Sequence, residues 1–409
     1  MVYKVIGLMS GSSLDGLDIA YVHLQESAAT SKDSPRKWEF TFLHTACYPY
    51  TEEWKQRLSA ATGLSALDYQ LLHTDYGHYL GARVNEFIEA FHLQYQVQLI
   101  ASHGHTSFHV PARKMTAQLG DGAALAAATK INVVSDLRAM DLALGGQGAP
   151  IVPIGEKLLL HGYALFLNLG GIANISSHGG GAIRDSAAGS ARAGASGAFV
   201  AYDVCPANRV LNQLMAQVGK EYDEGGTLAA TGRVDEDLLR RLNQLSYYGE
   251  AYPKSLANDF GTDTVYPMIM AAGLGTADAL RTYVEHICQQ IKIAVEGLRP
   301  VERAGAGESA LEAGLAATGS PAGRRMLVTG GGAHNHFLIG RLRELLAPLG
   351  VEVAVPETDS DKALIDYKEA LVMALIGVLR WREENNVLSS VTGASRDSIG
   401  GAVWMGQEA

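Results

Sequence analysis

The chain has 409 residues, 47% hydrophobic and 19% charged, with a formal net charge of −10. That length and apolar content suit two cored domains better than one and exclude a disordered chain. The acidic balance argues against nonspecific nucleic-acid binding, which draws on positive charge, but leaves nucleotide binding open, because backbone dipoles and a metal ion can supply it. Cys47, Cys205 and Cys288 are far apart and show no C-x-x-C spacing, which argues against a disulfide framework or zinc site and for a reducing compartment. The N-terminus carries no signal-peptide pattern, and the longest apolar run near the end, Ala370 to Trp381, is too short for a bilayer. A soluble, cytoplasmic protein is expected, with no nucleic-acid or membrane partner.

Lys4 to Val22 reads K-V-I-G-L-M-S-G-S-S-L-D-G-L-D-I-A-Y-V. Val5, Ile6, Leu8 and Met9 form an apolar run of strand length, and Leu17, Ile19 and Tyr21 alternate with Asp18 and Ala20, so a β-hairpin is expected. Its turn suits phosphate. Gly11 lets the backbone approach closely, Ser10, Ser12 and Ser13 are neutral donors, and Asp15 or Asp18 could hold a bridging Mg²⁺. An ordinary hairpin tip accounts for the same residues.

Trp38 to Tyr48 reads as a further strand beside this hairpin. Thr51–Ala61 and Ala66–Phe91 read as helices, the second with Leu67, Leu71, His78, Val84, Phe87 and Ile88 on its buried face and with Gly77 and Gly81 interrupting. A short strand, Val97–Ser102, runs into S-H-G-H-T-S-F-H-V-P. His103, His105 and His109 have no carboxylate beside them, which favours hydrogen bonds to a polar ligand over a metal. Asp121 is explained by capping the Ala-rich helix that follows it. Arg138 could clamp a hydroxylated or anionic ligand or pair with Asp136 or Asp141, and G-G-Q-G-A-P after them suggests a hinge between domains.

Ala164 to Ser176, A-L-F-L-N-L-G-G-I-A-N-I-S, repeats the opening logic, with Asn168, Gly170 and Gly171 at the turn. Two duplicated halves, each opening on a glycine hairpin, would clasp a polyphosphate; a plain hairpin is again the simpler account. Residues 177–198 and 301–323 are small-residue stretches, expected to be surface excursions. Phe199–Asp203 restores a strand, with Asp203 at its end either facing a cleft or capping the helix Arg209–Val218. Lys254 and Ser255 fall in a loop, and Ala277–Leu298 is an amphipathic helix. Met326–Thr329 enters Gly330-Gly331-Gly332 and leaves as a helix, a turn that could lie against a ring or a phosphate. Lys368 and Glu369 sit near the start of the long apolar helix Asp366–Arg380.

In this order, G-L-M-S-G-S-S-L-D-G-L-D, S-H-G-H-T-S-F-H, G-G-Q-G-A-P-I-V-P, L-N-L-G-G-I-A-N-I, T-G-G-G-A-H-N and K-E-A-L resemble the anhydro-N-acetylmuramic acid kinases of the sugar kinase, Hsp70 and actin superfamily. The resemblance runs nearly end to end and misses only the two insertions. It implies an α/β fold of two actin-like (ribonuclease H-like) domains around a central cleft, drawn at 1–135, completed by a C-terminal helix near 382–409, and at 136–381. It implies ATP with Mg²⁺, held by Gly11, Ser12, Ser13, Leu14, Asp15, Gly16, Leu17 and Asp18, by Asn168, Gly170 and Gly171, and by Gly330, Gly331 and Gly332 beside the adenosine. Metal ligands are not assigned.

The reaction implied is hydrolytic opening of a 1,6-anhydro sugar with phosphorylation of O6, giving N-acetylmuramic acid 6-phosphate and ADP in peptidoglycan recycling. Asp203 matches the general base and Glu369 a glutamate near the sugar, while His103, Thr106, Arg138 and Asp141 fall in stretches lining the substrate site. The partners implied are the sugar and ATP, with a homodimer left open. Two departures stand out. The family commonly has Gln at the position of His105, and its usual D-T-G-P-G-N reads D-V-C-P-A-N from Asp203. A kinase for another sugar, or a non-catalytic ATP switch of the actin or Hsp70 type, are the alternatives.

Overall fold

The computed structural model describes residues 1–11, 14–27, 37–177, 183–184, 191–192, 199–252, 254–256, 259–298, 324–356 and 359–406. Ser12, Ser13 and the 301–323 stretch lie outside these, as does most of 178–198. The chain divides into two compact units, residues 1–160 with 367–409, and residues 161–366.

In the first unit, β1 (Val2–Ser10) and β2 (Gly16–Glu26) form the expected hairpin, and β3 (Trp38–Pro49) pairs antiparallel with β2. β4 (Leu99–Ser102) joins β1 in parallel; β5 (His105–Val110) and β6 (Met115–Leu119) make a separate ribbon; β7 (Val133–Ser135) lies parallel to β4. The closing strand, Ala402–Trp404, runs antiparallel to β7 at the sheet edge. The sequence reading expected a helix over 382–409. The tail instead makes a short helix, Ser389–Thr392, and this strand, held where Trp404 Nε1 donates to Ser135 Oγ at 2.9 Å. Glycines at 393, 400, 401 and 406 punctuate the tail too often for a helix to propagate.

Ile6, Leu8, Ile19 and Tyr21 bury one face of the sheet against Leu72, Tyr76, Leu80, Val84 and Phe87 of the helix Ala66–Ala90. This corrects the expected helix face. Leu67 and Leu71 are exposed, and so is His78, while the buried stripe follows Leu72, Tyr76, Leu80 and Val84. The glycines set that phase. A Cβ at Gly77 would fall 2.5 Å from the Asp121 carbonyl, and one at Gly81 2.6 Å from Ala128 Cβ, so the two helices approach through the positions that look like interruptions.

The opposite face is closed by the helix Asp359–Trp381. Gly7 of β1 lies against the backbone of Ala370, and a Cβ on Gly377 would sit 2.5 Å from Ala101 Cβ. Residues 367–381 therefore belong with the first unit, as do residues 136–160, although the sequence reading drew both into the second domain. Buried polar ties hold them there. Thr392 donates to Asp141 Oδ1 at 2.6 Å, and Lys368 pairs with Glu156 at 3.0 Å.

In the second unit, β8 (Leu165–Leu169) and β9 (Ile172–Ser177) form the second glycine hairpin. The described residues of the following stretch pair as β10 (Ile183–Arg184) and β11 (Ala191–Arg192). β12 (Val200–Pro206) is antiparallel to β9, and β13 (Arg324–Thr329) and β14 (Val351–Ala354) continue from β8 in parallel. The order β12-β9-β8-β13-β14 reproduces β3-β2-β1-β4-β7 strand for strand, with the same directions. The fold is α/β, and each unit carries the ribonuclease H-like sheet that the resemblance implied. Leu165, Leu167, Leu169, Ala173 and Ile175 pack its core against Tyr283, Ile287 and Ile291 of the helix Thr276–Gly297.

Candidate active site

The first hairpin turn is tight. Leu14 N–H donates to Gly11 O at 3.4 Å with Leu14 at φ 58°, and Asp15 is exposed. Asp18 is half-buried on β2 opposite Met9. Leu17 is 1% exposed in the core, so only its backbone is free to meet a ligand. Gly16 is buried beside the Tyr48 carbonyl, where a Cβ would fall 2.7 Å from the oxygen, and this contact accounts for the glycine structurally. Ser12 and Ser13 are outside the described residues.

At the C-terminal end of β4 the histidine segment turns through Gly104 into the β5–β6 ribbon. His103 and His105 are buried, and His109 is exposed. Arg138 is buried and binds in three directions. Its Nε donates to Gly148 O at 2.6 Å, one terminal nitrogen donates to Thr106 Oγ1 at 3.0 Å, and the other lies 3.5 Å from His109 Nδ1. Burial pulls its pKa down to about 10, against the opposing pull of Asp141. Asp141 itself accepts from Gly148 N–H at 2.7 Å and from Thr392, so one carboxylate oxygen holds the 145–148 turn and the other holds Thr392. Thr106, Arg138 and Asp141 thus form one connected cluster, and the Arg138 charge is near enough to help lower the His103 pKa. Among the described residues no group of three His, Cys, Asp or Glu side chains could hold a metal ion.

Glu369 lies on the long helix beside the Lys368–Glu156 ion pair. Burial raises its carboxyl pKa, Lys368 opposes this, and Glu156 adds to it. No hydrogen bond reaches the Glu369 carboxyl among the described residues. Glu156 escaped the sequence reading because a glutamate in P-I-G-E-K resembles any first-turn helix acid.

In the second unit the two glycine turns meet. The Gly170 and Gly171 carbonyls accept from the backbone N–H groups of Asn208 and Ala207 at 3.1 and 2.8 Å, which seats the hairpin on the start of the helix Asn208–Ala216. Asn208 Nδ2 donates to Leu169 O at 2.9 Å. A Cβ on Gly332 would sit 2.6 Å from Leu169 Cβ, and Gly330 has φ 81°, so both positions require glycine. Asn208 was visible in the sequence only as the last letter of D-V-C-P-A-N.

Asp203 sits on β12 next to a register shift that ends at Cys205, a bulge that re-aims the side chain. One carboxylate oxygen accepts from Asn174 Nδ2, and the other from Leu256 N–H at 2.8 Å. Burial raises the Asp203 pKa while these two donors lower it. Across the sheet, Thr329, Asn168, Asn174 and Asp203 are register partners in turn on β13, β8, β9 and β12. Directly paired residues point to the same face, so Asn168, Asn174 and Asp203 form a polar rung opposite the apolar core.

Comparison with known proteins decides the family. The family model for anhydro-N-acetylmuramic acid kinase matches residues 3–406. The chain belongs to the anhydro-N-acetylmuramic acid kinase family. Curated relatives of that name are 32% identical in Gloeobacter violaceus, over 96% of each chain, and 31% identical in Shewanella woodyi, over 98% of each. A further one, from Coxiella burnetii, is 30% identical over 99% of this chain and 98% of its own.

Against the pattern expected from the resemblance, the departures in D-V-C-P-A-N fall on core positions. Val204, Cys205 and Ala207 are 3%, 0% and 0% exposed and pack into the main cluster of the second unit. Burial pushes the Cys205 thiol up, which leaves it inert.

Proposed function

We propose that this protein is an ATP-dependent anhydro-N-acetylmuramic acid kinase acting in the cytoplasm in peptidoglycan recycling. Asp203 accepts a proton from the water that attacks the anomeric carbon of the 1,6-anhydro sugar. The C1–O6 bond breaks, O6 bonds to the γ-phosphorus, and ADP leaves. The support for this role is the rung Asn168–Asn174–Asp203, which sets a half-buried carboxylate on the same sheet face as Asn168 of the strand that leads into the Gly170–Gly171 turn. Each carboxylate oxygen has two lone-pair directions, so the bonds from Asn174 and Leu256 orient Asp203 and favour its ionised form against burial while leaving room to take a proton.

The backbone of Gly11 and Leu14 to Asp18, and that of Asn168 to Gly171, binds phosphate, and Gly330–Gly332 lies beside the adenosine. Mg²⁺ arrives with ATP and needs only one or two carboxylates besides phosphate and water, a demand the half-buried Asp18 fits; when bound it neutralises phosphate charge. His103, Thr106 and Arg138 hold the sugar, Asp141 fixes the turn that supports Arg138, and Glu369 lies near the sugar. The test is mass spectrometry of the product formed from 1,6-anhydro-N-acetylmuramic acid and ATP in oxygen-18 water. Label on the anomeric hydroxyl together with a 6-phosphate is the expected result, and unlabelled or unphosphorylated sugar refutes the reading.

A further inference from the structure

The first unit holds a line of hydrogen-bonding groups that the mechanism above leaves unused. The Tyr50 hydroxyl donates to Ser10 Oγ at 2.8 Å, and its oxygen meets the hydroxyl of fully buried Tyr76 at 2.5 Å. Ser10, 3% exposed, places Oγ 3.3 Å from His105 Nδ1. Each hydroxyl owns one proton. Tyr50 gives its proton to Ser10, so Tyr76 donates to Tyr50, and the Ser10 proton is available to His105 Nδ1. Nδ1 of His105 then presents a lone pair, and its proton sits on Nε2.

His103 is polarised the other way. Its Nδ1 lies 2.9 Å from Gly104 O, and a carbonyl only accepts, so Nδ1 carries the proton and Nε2 the lone pair. Burial, with Arg138 and His105 nearby, lowers the His103 pKa to about 4, and burial also lowers that of His105, so both rings are neutral. Among the described residues no hydrogen bond reaches Nε2 of either ring.

We propose that Tyr50 and Ser10 lock His105 as the Nε2–H tautomer, so that His103 and His105 together read one sugar hydroxyl, His103 accepting its proton and His105 donating to its oxygen. The proposal rests on the sugar-kinase reading and deepens it. A hydroxyl answers both rings at once, whereas an ether oxygen or an amide N–H answers only one. Tyr50 is then a positioning residue and His105 a specificity-determining one. Glutamine, common at this position in the family, also donates through its amide but has no ring tautomer for Ser10 to set.

The experiment is histidine-selective 15N–1H NMR of the full chain, with steady-state kinetics of Tyr50→Phe alone and combined with His105→Gln. In the unliganded wild type, His105 is expected to carry its proton on Nε2 and His103 on Nδ1. Tyr50→Phe releases the Ser10 hydroxyl, mixes the His105 tautomers and raises KM for the sugar about tenfold, the worth of one hydrogen bond, with kcat retained. In the His105→Gln background the same substitution leaves KM unchanged. A proton on Nδ1 of His105 in the wild type overturns the proposal, and so does an equal KM penalty in both backgrounds. The spectrum needs neither turnover nor a folded variant. Failure of the wild type to phosphorylate the sugar therefore counts against the kinase reading, while a wrong tautomer in the spectrum counts against this one.

Discussion

Asn168 and Asp203 stand on one rung of the second sheet, two strands apart, joined through Asn174. The rung couples a residue of the glycine hairpin to the carboxylate assigned as base, and it makes Asn174 the hinge of their relationship.

Asp203→Asn keeps the shape and loses the base. Turnover should fall by roughly a thousandfold, in the range of general-base losses, while ATP binding measured by calorimetry stays close to wild type. Near-normal turnover in this variant would mean that the base lies elsewhere.

Asn174→Ala removes one of the two donors that oppose the burial-raised pKa of Asp203. With Asp203 as the base its carboxylate would be the active form, and without Asn174 the protonated form gains ground. The acid limb of the kcat profile should therefore move to higher pH. An unmoved limb would show that Asn174 does not act on the ionisation of Asp203.

Gly7→Ala drives a methyl into the backbone of Ala370, whereas Gly63 has open space around it. Overpacking of this kind costs about 1–3 kcal/mol. A lowered urea midpoint is expected for Gly7→Ala and a change below roughly 0.5 kcal/mol for Gly63→Ala. Equal effects would argue against the close seat of the Asp359–Trp381 helix.

Glu285 feels burial pulling its pKa up, but hydrogen bonds from Arg341, Gln289 and Arg281 win and hold it at about 2. A depressed carboxyl contributes stability above its unfolded pKa and loses it as pH falls through the folded value. The thermal-stability gap between wild type and Glu285→Gln should be full at neutral pH and close between about pH 4.5 and pH 2. A gap that persists below that window would show that the ion pair is not its source.

Thr392→Val leaves a buried carboxylate oxygen of Asp141 without its donor, at a cost of about 2 kcal/mol in urea unfolding. The 145–148 turn that Arg138 leans on loosens with it.

The sequence by itself determined what is local and periodic: the apolar runs of β1 and β8, the glycine turns that close them, and the polar motifs whose order identifies the family. Strand hairpins announce themselves because a turn and two alternating runs lie within some twenty residues. Only the tertiary structure decided which distant groups meet. Asn174 gained its role from strand register, Tyr50 and Ser10 from a hydroxyl line reaching His105, and Glu156 from pairing with Lys368, more than two hundred residues on. The face of the Ala66–Ala90 helix was misread for the same reason. Gly77 and Gly81 weaken a helix taken alone, yet they become its contact surface once another helix lies against them, and no periodicity in one segment records the surface it will meet.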